Sequence, residues 1–182
     1  MTETLQSRPA IFLDRDGTII EDKDYLAAVD NLEIFPFTEE ALRLFKAAGY
    51  QVFVLTNQSG IARGFFPEAT MQSIHDAMLE RLSGLIDAFY FCPHAPDDGC
   101  DCRKPNLGMM NNAANNRAID MANSWMIGDK KIDVETGFNA GIGTALVMTG
   151  YGESELSYLN RMPDIVAQDL LDAARQICAR ET

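Results

Sequence analysis

Asp14 and Asp16 stand two residues apart at the end of an apolar run, Ala10-Ile11-Phe12-Leu13, and Gly17 and Thr18 follow at once. An extended chain alternates its faces every residue, so both carboxylates leave on the same side. Side by side they repel, and one pKa rises unless a cation lies between them. Mg2+ suits such a pair, being hard, oxygen-seeking and content with carboxylates, phosphate and water. Asp129, directly after Met126-Ile127-Gly128, offers a third oxygen ligand. Asp133 lies four residues further on and is expected to hydrogen-bond to a helix start and support the site. Thr56 to Gly60 sits where a second apolar run hands over to a loop, and its hydroxyl and free N–H groups can cradle a phosphate. It is not a Walker loop, because no Gly-x4-Gly-Lys-Ser/Thr is present. Arg103 and Lys104 are adjacent cations just before Pro105. Lys104 suits offsetting charge on a carboxylate and a transferring phosphoryl group, and the Arg103 fork suits a second anion.

A different chemistry clusters at Cys92-Pro93-His94 and Cys100-Asp101-Cys102. Three thiols and one imidazole in that compact spacing form a Cys3His set, the donor set of a closed structural zinc site. Four protein ligands leave no open position, so the expected zinc is structural and not catalytic. The loop runs straight into Arg103 and Lys104, whose positions a bound zinc would fix. Cys178 and His75 read differently: Cys178 as packing in a terminal helix, His75 as a surface or helix-packing residue.

These residues need elements to place them. Apolar runs alternate with amphipathic stretches along the chain, which predicts a parallel α/β sheet. Strands are expected at Ala10–Leu13, Gln51–Leu55, Ala88–Phe91, Ser124–Ile127 and Thr144–Met148. A helix is expected over Thr38 to Ala48, capped by Thr38 and ended by Gly49. Met71, Ile74, Met78, Leu82 and Leu85 recur at steps of three and four and mark one helical face. Leu170 to Ala179 reads as a closing helix. Four of the five strands end in polar clusters, and in an open α/β sheet ligands bind outside the carboxyl ends of the strands.

The 182 residues suit one domain, expected over residues 8–180 with residues 1–7 as a tail. The 27 acidic and 15 basic residues give a net charge of −12, which disfavours nucleic-acid and anionic-membrane partners. No apolar run approaches the ~18 residues of a membrane helix, and no signal peptide is visible, so a cytoplasmic chain is expected. No hydrophobic stripe stands out, and a monomer is the expected state.

The ordered set Asp14-x-Asp16-x-Thr18, Thr56, Lys104 and Gly128-Asp129-x3-Asp133 resembles the four motifs of the haloacid-dehalogenase (HAD) superfamily of phosphatases. The resemblance spans residues 10 to 150 and implies a three-layer, Rossmann-like α/β fold around a central parallel sheet. It implies that Asp14 attacks phosphorus and that Asp16 first protonates the leaving oxygen and then activates water. It implies Mg2+ on an Asp14 oxygen, the Asp16 backbone carbonyl and Asp129, with Thr56 and Lys104 on the phosphoryl oxygens. The intervals between the motifs leave no room for the separate cap domain of many relatives, so a capless member with a zinc-binding loop is expected.

The zinc loop, Asp14-Arg15-Asp16-Gly17-Thr18 and Thr56 to Gly64 together resemble a branch of the superfamily that acts on heptose bisphosphates or on histidinol phosphate. Ser59 and the run through Arg63 resemble the heptose side, and Arg103 suits a second phosphate. The five-residue gap between His94 and Cys100 resembles the histidinol side. The resemblance also implies substrate contacts from Asp22 and Tyr25, from Asn57, Gln58, Ser59 and Arg63, and from Arg103 and Lys130. The expected partner is a small phosphorylated metabolite, a sugar bisphosphate, with histidinol phosphate the alternative. A zinc-stapled binding module is opposed by the intact acids and Lys104, and a DNA-end phosphatase by the acidic charge and the lack of a basic stripe.

Overall fold

The computed structural model describes residues 7–181. Six strands form one sheet in the order β3-β2-β1-β4-β5-β6, all parallel. They are β1 (Arg8–Leu13), β2 (Gln51–Asn57), β3 (Ala88–Cys92), β4 (Ile119–Gly128), β5 (Gly143–Val147) and β6 (Ile165–Ala167). The helices are α1 (Thr38–Ala47), α2 (Glu68–Arg81), α3 (Gly108–Asn116), α4 (Lys131–Ala140), the single turn α5 (Gly152–Glu155) and α6 (Leu170–Cys178). Strand order reverses at β1, the point where an open sheet of this kind binds its ligand.

The β1 run is apolar on both faces because both are covered, as parallel sheets require. Ile11 and Leu13 join Val52, Val54 and Ile127 on the side packed by α1, α2 and α6. Ala10 and Phe12 join Phe53, Leu55 and Met126 on the side packed by α3. Helix–sheet–helix is the three-layer architecture expected from the sequence. Residues 15–37 and 58–67 are loops with one 3-10 turn, so no cap domain occurs there among the described residues. No helix among the described residues is long and apolar enough to cross a membrane.

Two local expectations change. Thr38 does not cap α1: Phe37 is the N-cap, and the buried Thr38 hydroxyl donates to Ile19 O at 2.9 Å. The hydroxyl thus ties the helix to the loop after the catalytic turn. Gly49 does end α1, in the left-handed region at φ 89°, with its N–H on Lys46 O. Of the two roles expected for His75, the surface one falls away and the packing one holds. His75 occupies the buried face of α2 with Met71, Ile74 and Met78.

Candidate active site

The ends of β1, β2 and β4 and the chain after β3 deliver the expected residues to one rim. Asp14 directly follows β1, and its N–H continues the ladder to Ile127 O at 2.9 Å. Lys104 arrives from the cysteine loop, where Asn57 clamps its backbone. The Asn57 amide donates to Lys104 O at 3.2 Å and accepts from Lys104 N–H at 3.0 Å. The buried ammonium of Lys104 reaches Asp14 and Asp133, each at 2.7 Å. Asp133 in turn accepts from the Lys130 N–H at 3.1 Å, the reach-back half of a capping box at the start of α4.

Asp14, Asp129 and Asp133 hold carboxylate oxygens within 4.8 Å of one another, and all three are buried. Burial pushes Asp14 up, but Lys104 and Lys130 outweigh it and hold its pKa below the ordinary value. Burial, against the pull of Lys104, leaves Asp133 at about 6. Asp129 is pushed up to about 8, by burial and then by Asp14. Its Oδ2 accepts from Tyr151 N–H at 2.8 Å, but its Oδ1 is a buried oxygen with no partner. A buried acceptor left without a donor is costly, and a cation satisfies it. Gly17 (φ 84°) and Gly150 (φ 56°) both press against this carboxylate, and a Cβ on either would run into Asp129.

Asp16 does not join that cluster, contrary to the expected side-by-side pair with Asp14; its carboxylate is held by Arg15 and Gln58 and lines the cleft instead. It accepts from Arg15 Nε and Nη2 at 3.1 and 3.0 Å and from Gln58 Nε2 at 3.0 Å. Gln58 also donates to the Thr56 hydroxyl at 2.7 Å, so β2 and the acidic turn are stitched together. The cleft beside Asp16 has a volume of about 300 Å3. Asp22, Tyr25, Asn57, Gln58, Ser59, Arg103 and Lys130 line it, as does Tyr151. Lys130 pairs with Asp22 at 2.9 Å and lies over the Tyr151 ring, whose hydroxyl donates to Asp24 at 3.2 Å. Tyr25 packs edge-on against the exposed Phe65, centroids 4.6 Å apart. Arg63 is the exception: it lies on an exposed turn and is not among the lining residues.

Cys92, His94, Cys100 and Cys102 bring one donor atom each to within 4.8 Å of one another, a cluster that could hold a metal ion. The closest approaches are His94 Nδ1 to Cys102 Sγ at 3.2 Å and Cys92 Sγ to Cys100 Sγ at 3.5 Å. Burial and the neighbouring thiols push Cys92 up to about 12, a repulsion that a bound cation removes. Arg103 Nη1 donates to His94 O at 3.4 Å, which ties the cluster to the cleft.

Sequence reasoning passed over Arg15, Asp24 and Tyr151, and left His75 between a surface and a packing role. For His75 a signal existed, since residues 71, 74, 75 and 78 fall at i, i+3, i+4 and i+7 of one face. For Arg15 the signal was a cation between two catalytic-type acids. Asp24 and Tyr151 meet only through the fold.

A parallel 3-2-1-4-5-6 sheet, with an Asp-x-Asp turn at its switch point and a lysine bridging two buried aspartates, defines a phosphatase of the HAD class. Residues 101–173 match the family model described as HAD-hydrolase-like. The chain is 44% identical over 156 residues to the D-glycero-beta-D-manno-heptose-1,7-bisphosphate 7-phosphatase of Escherichia coli K12, covering 80% of this chain and 82% of that one. It is 37% identical over 171 residues to the enzyme of the same name from Pseudomonas putida, covering 92% and 98%. The crystal structure of the B. bronchiseptica D,D-heptose 1,7-bisphosphate phosphatase, complexed with magnesium and phosphate, superposes with a TM-score of 0.87 at 36% identity. That match covers 96% of this chain and 99% of the other. The chain belongs to this family of HAD-type heptose bisphosphate phosphatases.

Proposed function

We propose that the protein removes the 7-phosphate of D-glycero-D-manno-heptose 1,7-bisphosphate, in its β-anomeric form, and leaves the 1-phosphate in place. The observation that carries this reading is Lys104 held at 2.7 Å from both Asp14 and Asp133, beside a cleft that Arg103 and Lys130 line. One end of that arrangement suits the phosphoryl group being transferred and the other a second phosphate. The curated relatives from Escherichia coli and Pseudomonas putida carry the β-anomer in their names, and neither is a histidinol-phosphate phosphatase. The product would enter the making of nucleotide-activated heptose.

Asp14 attacks phosphorus through a carboxylate oxygen, the P–O bond to the sugar breaks, and an aspartyl phosphate forms. Asp16 gives its proton to the departing sugar oxygen and then takes one from the water that hydrolyses the aspartyl phosphate. Lys104 and the Thr56 hydroxyl hold phosphoryl oxygens as charge develops. The orphan Oδ1 of Asp129, its raised pKa and the Asp14 carboxylate beside it fit Mg2+, with the Asp16 backbone carbonyl as a further ligand. When bound, Mg2+ neutralises and orients the phosphoryl group. Three thiols and one imidazole with donor atoms 3.2 to 3.6 Å apart fit zinc, which Cys92, His94, Cys100 and Cys102 would hold. Its role would be structural. Residues 8–180 would act as one catalytic unit, a monomer in the cytoplasm with a small sugar bisphosphate as its partner.

Mg2+-dependent phosphate release from both heptose 1,7-bisphosphate anomers and from histidinol phosphate, with Asp14→Asn as the blank, tests this. Preference for the β-anomer is expected. Preference for histidinol phosphate would overturn the substrate, and activity surviving in Asp14→Asn would overturn the mechanism.

A further inference from the structure

A fully buried arginine in a catalytic turn calls for an explanation. The Arg15 side chain is 1% exposed, yet it lies beside a cleft where a cation had no need to be sequestered. All three of its nitrogens are committed. Nε and Nη2 form a fork on the two oxygens of Asp16, at 3.1 and 3.0 Å. Nη1 lies 3.3 Å from Nε2 of His75. Arginine only donates, so this contact requires a lone pair on Nε2 and a neutral imidazole. Burial, with the Arg15 charge beside it, holds His75 at about 3, so it stays an acceptor throughout the neutral range. The ring is itself fixed, stacked on Phe89 at 4.3 Å and 16°, and Phe89 sits in β3 in register with Val54. A continuous chain of contacts therefore runs from the sheet through Phe89, His75 and Arg15 to the Asp16 carboxylate.

We propose that Arg15 and His75 are positioning residues that fix the Asp16 carboxylate for proton transfer to the leaving group. This rests on the phosphatase reading above. Neither residue reaches the transferring phosphoryl group; each acts through Asp16. Arginine is suited to this task because its planar fork sets both the place and the plane of a carboxylate, which a lysine ammonium cannot do. The consequence is specific. Asp16 matters as a proton donor only when the leaving oxygen needs a proton, as a sugar alkoxide does. A p-nitrophenolate leaves without one, so its release is insensitive to where Asp16 points.

The test compares kcat/KM, which reports only the steps through departure of the leaving group, on heptose 1,7-bisphosphate and on p-nitrophenyl phosphate for wild type, Arg15→Lys, His75→Leu and His75→Gln. By contrast, kcat also contains hydrolysis of the aspartyl phosphate, where Asp16 serves both substrates alike. Thermal unfolding checks that each variant is folded. General acid catalysis contributes about 10²–10⁴-fold, and misplacing the acid forfeits part of it. Arg15→Lys is expected to lower kcat/KM about 30-fold on the sugar phosphate and less than about 3-fold on the aryl phosphate. His75→Leu should show the same split more weakly, and His75→Gln, which restores an acceptor, should recover most of it. Should Arg15→Lys not fold, the two His75 variants decide. Parallel losses in kcat/KM on both substrates, or full activity on both in folded variants, would overturn the positioning role alone. A wild-type protein inactive on both would overturn the phosphatase reading, and this inference with it.

Discussion

At the scale of single residues, the site is a balance of buried charges. Lys104 is a cation enclosed with Asp14 and Asp133. Burial works against its charge, but the two carboxylates outweigh burial and raise its pKa. Lys104→Met would leave two buried carboxylates unpaired and remove a group that meets developing phosphoryl charge. Turnover should fall by about 10²–10³-fold, read as kcat with KM changing far less. His75 makes a second, separate prediction. It is neutral in the folded protein down to about pH 3 and protonates freely near 6.5 once unfolded. Between those values the unfolded chain binds more protons, so stability falls as the pH falls through this window. The full window corresponds to on the order of 4–5 kcal/mol. Denaturant titrations of His75→Leu between pH 7 and 4 should show a flatter dependence than wild type. An identical slope would mean that His75 is not buried as a neutral ring.

At the scale of elements, the cysteine loop is a brace. It carries Arg103 to the cleft and Lys104 to Asp14, with Asn57 clamping the last step. Stripping the proposed zinc with a chelator should lower Tm by at least about 5 °C and raise KM for the bisphosphate, because the brace and its two cations would loosen together. Unchanged Tm and KM after metal analysis confirms zinc loss would sink this role. The loop was legible in the sequence because metal donors advertise themselves by type and spacing. So were β1, β2 and α1, whose apolar runs and terminal Gly49 are local signals. Strand β6 was not, since three residues carry no periodicity. Helix α3 was also missed, because its Asn-rich stretch Gly108-Met109-Met110-Asn111-Asn112 has weak helix propensity and is held by packing of Met109, Met110 and Ala113. The Thr38 cap failed because a tertiary acceptor, Ile19 O, took the hydroxyl first. The paired roles of Tyr151 with Asp24, and of His75 with Arg15, join residues 127 and 60 positions apart and leave no sequence pattern.

At the scale of the whole molecule, a chain of net charge −12 handles a substrate expected to be strongly anionic. Arg103 and Lys130 set a small cationic zone inside a repelling field. Raising ionic strength from roughly 10 to 150 mM shortens the reach of that field from about 30 to 8 Å while leaving the close contacts less affected. KM for the bisphosphate should therefore fall or stay level over this range. A steep rise would show that long-range attraction, absent by this count, recruits the substrate. The sheet order has a consequence in time as well as in space. The central strand β1 is made first, but its neighbour β4 comes late. Asp14 must wait for Asp129, 129 − 14 = 115 residues later, roughly 6–23 s at a synthesis rate of about 5–20 residues per second. Throughout that interval the nascent chain carries Asp14 beside an unpaired strand edge. A chain cut short before residue 129 keeps Asp14 but lacks Asp129, and leaves an edge of β1 free to pair with another chain.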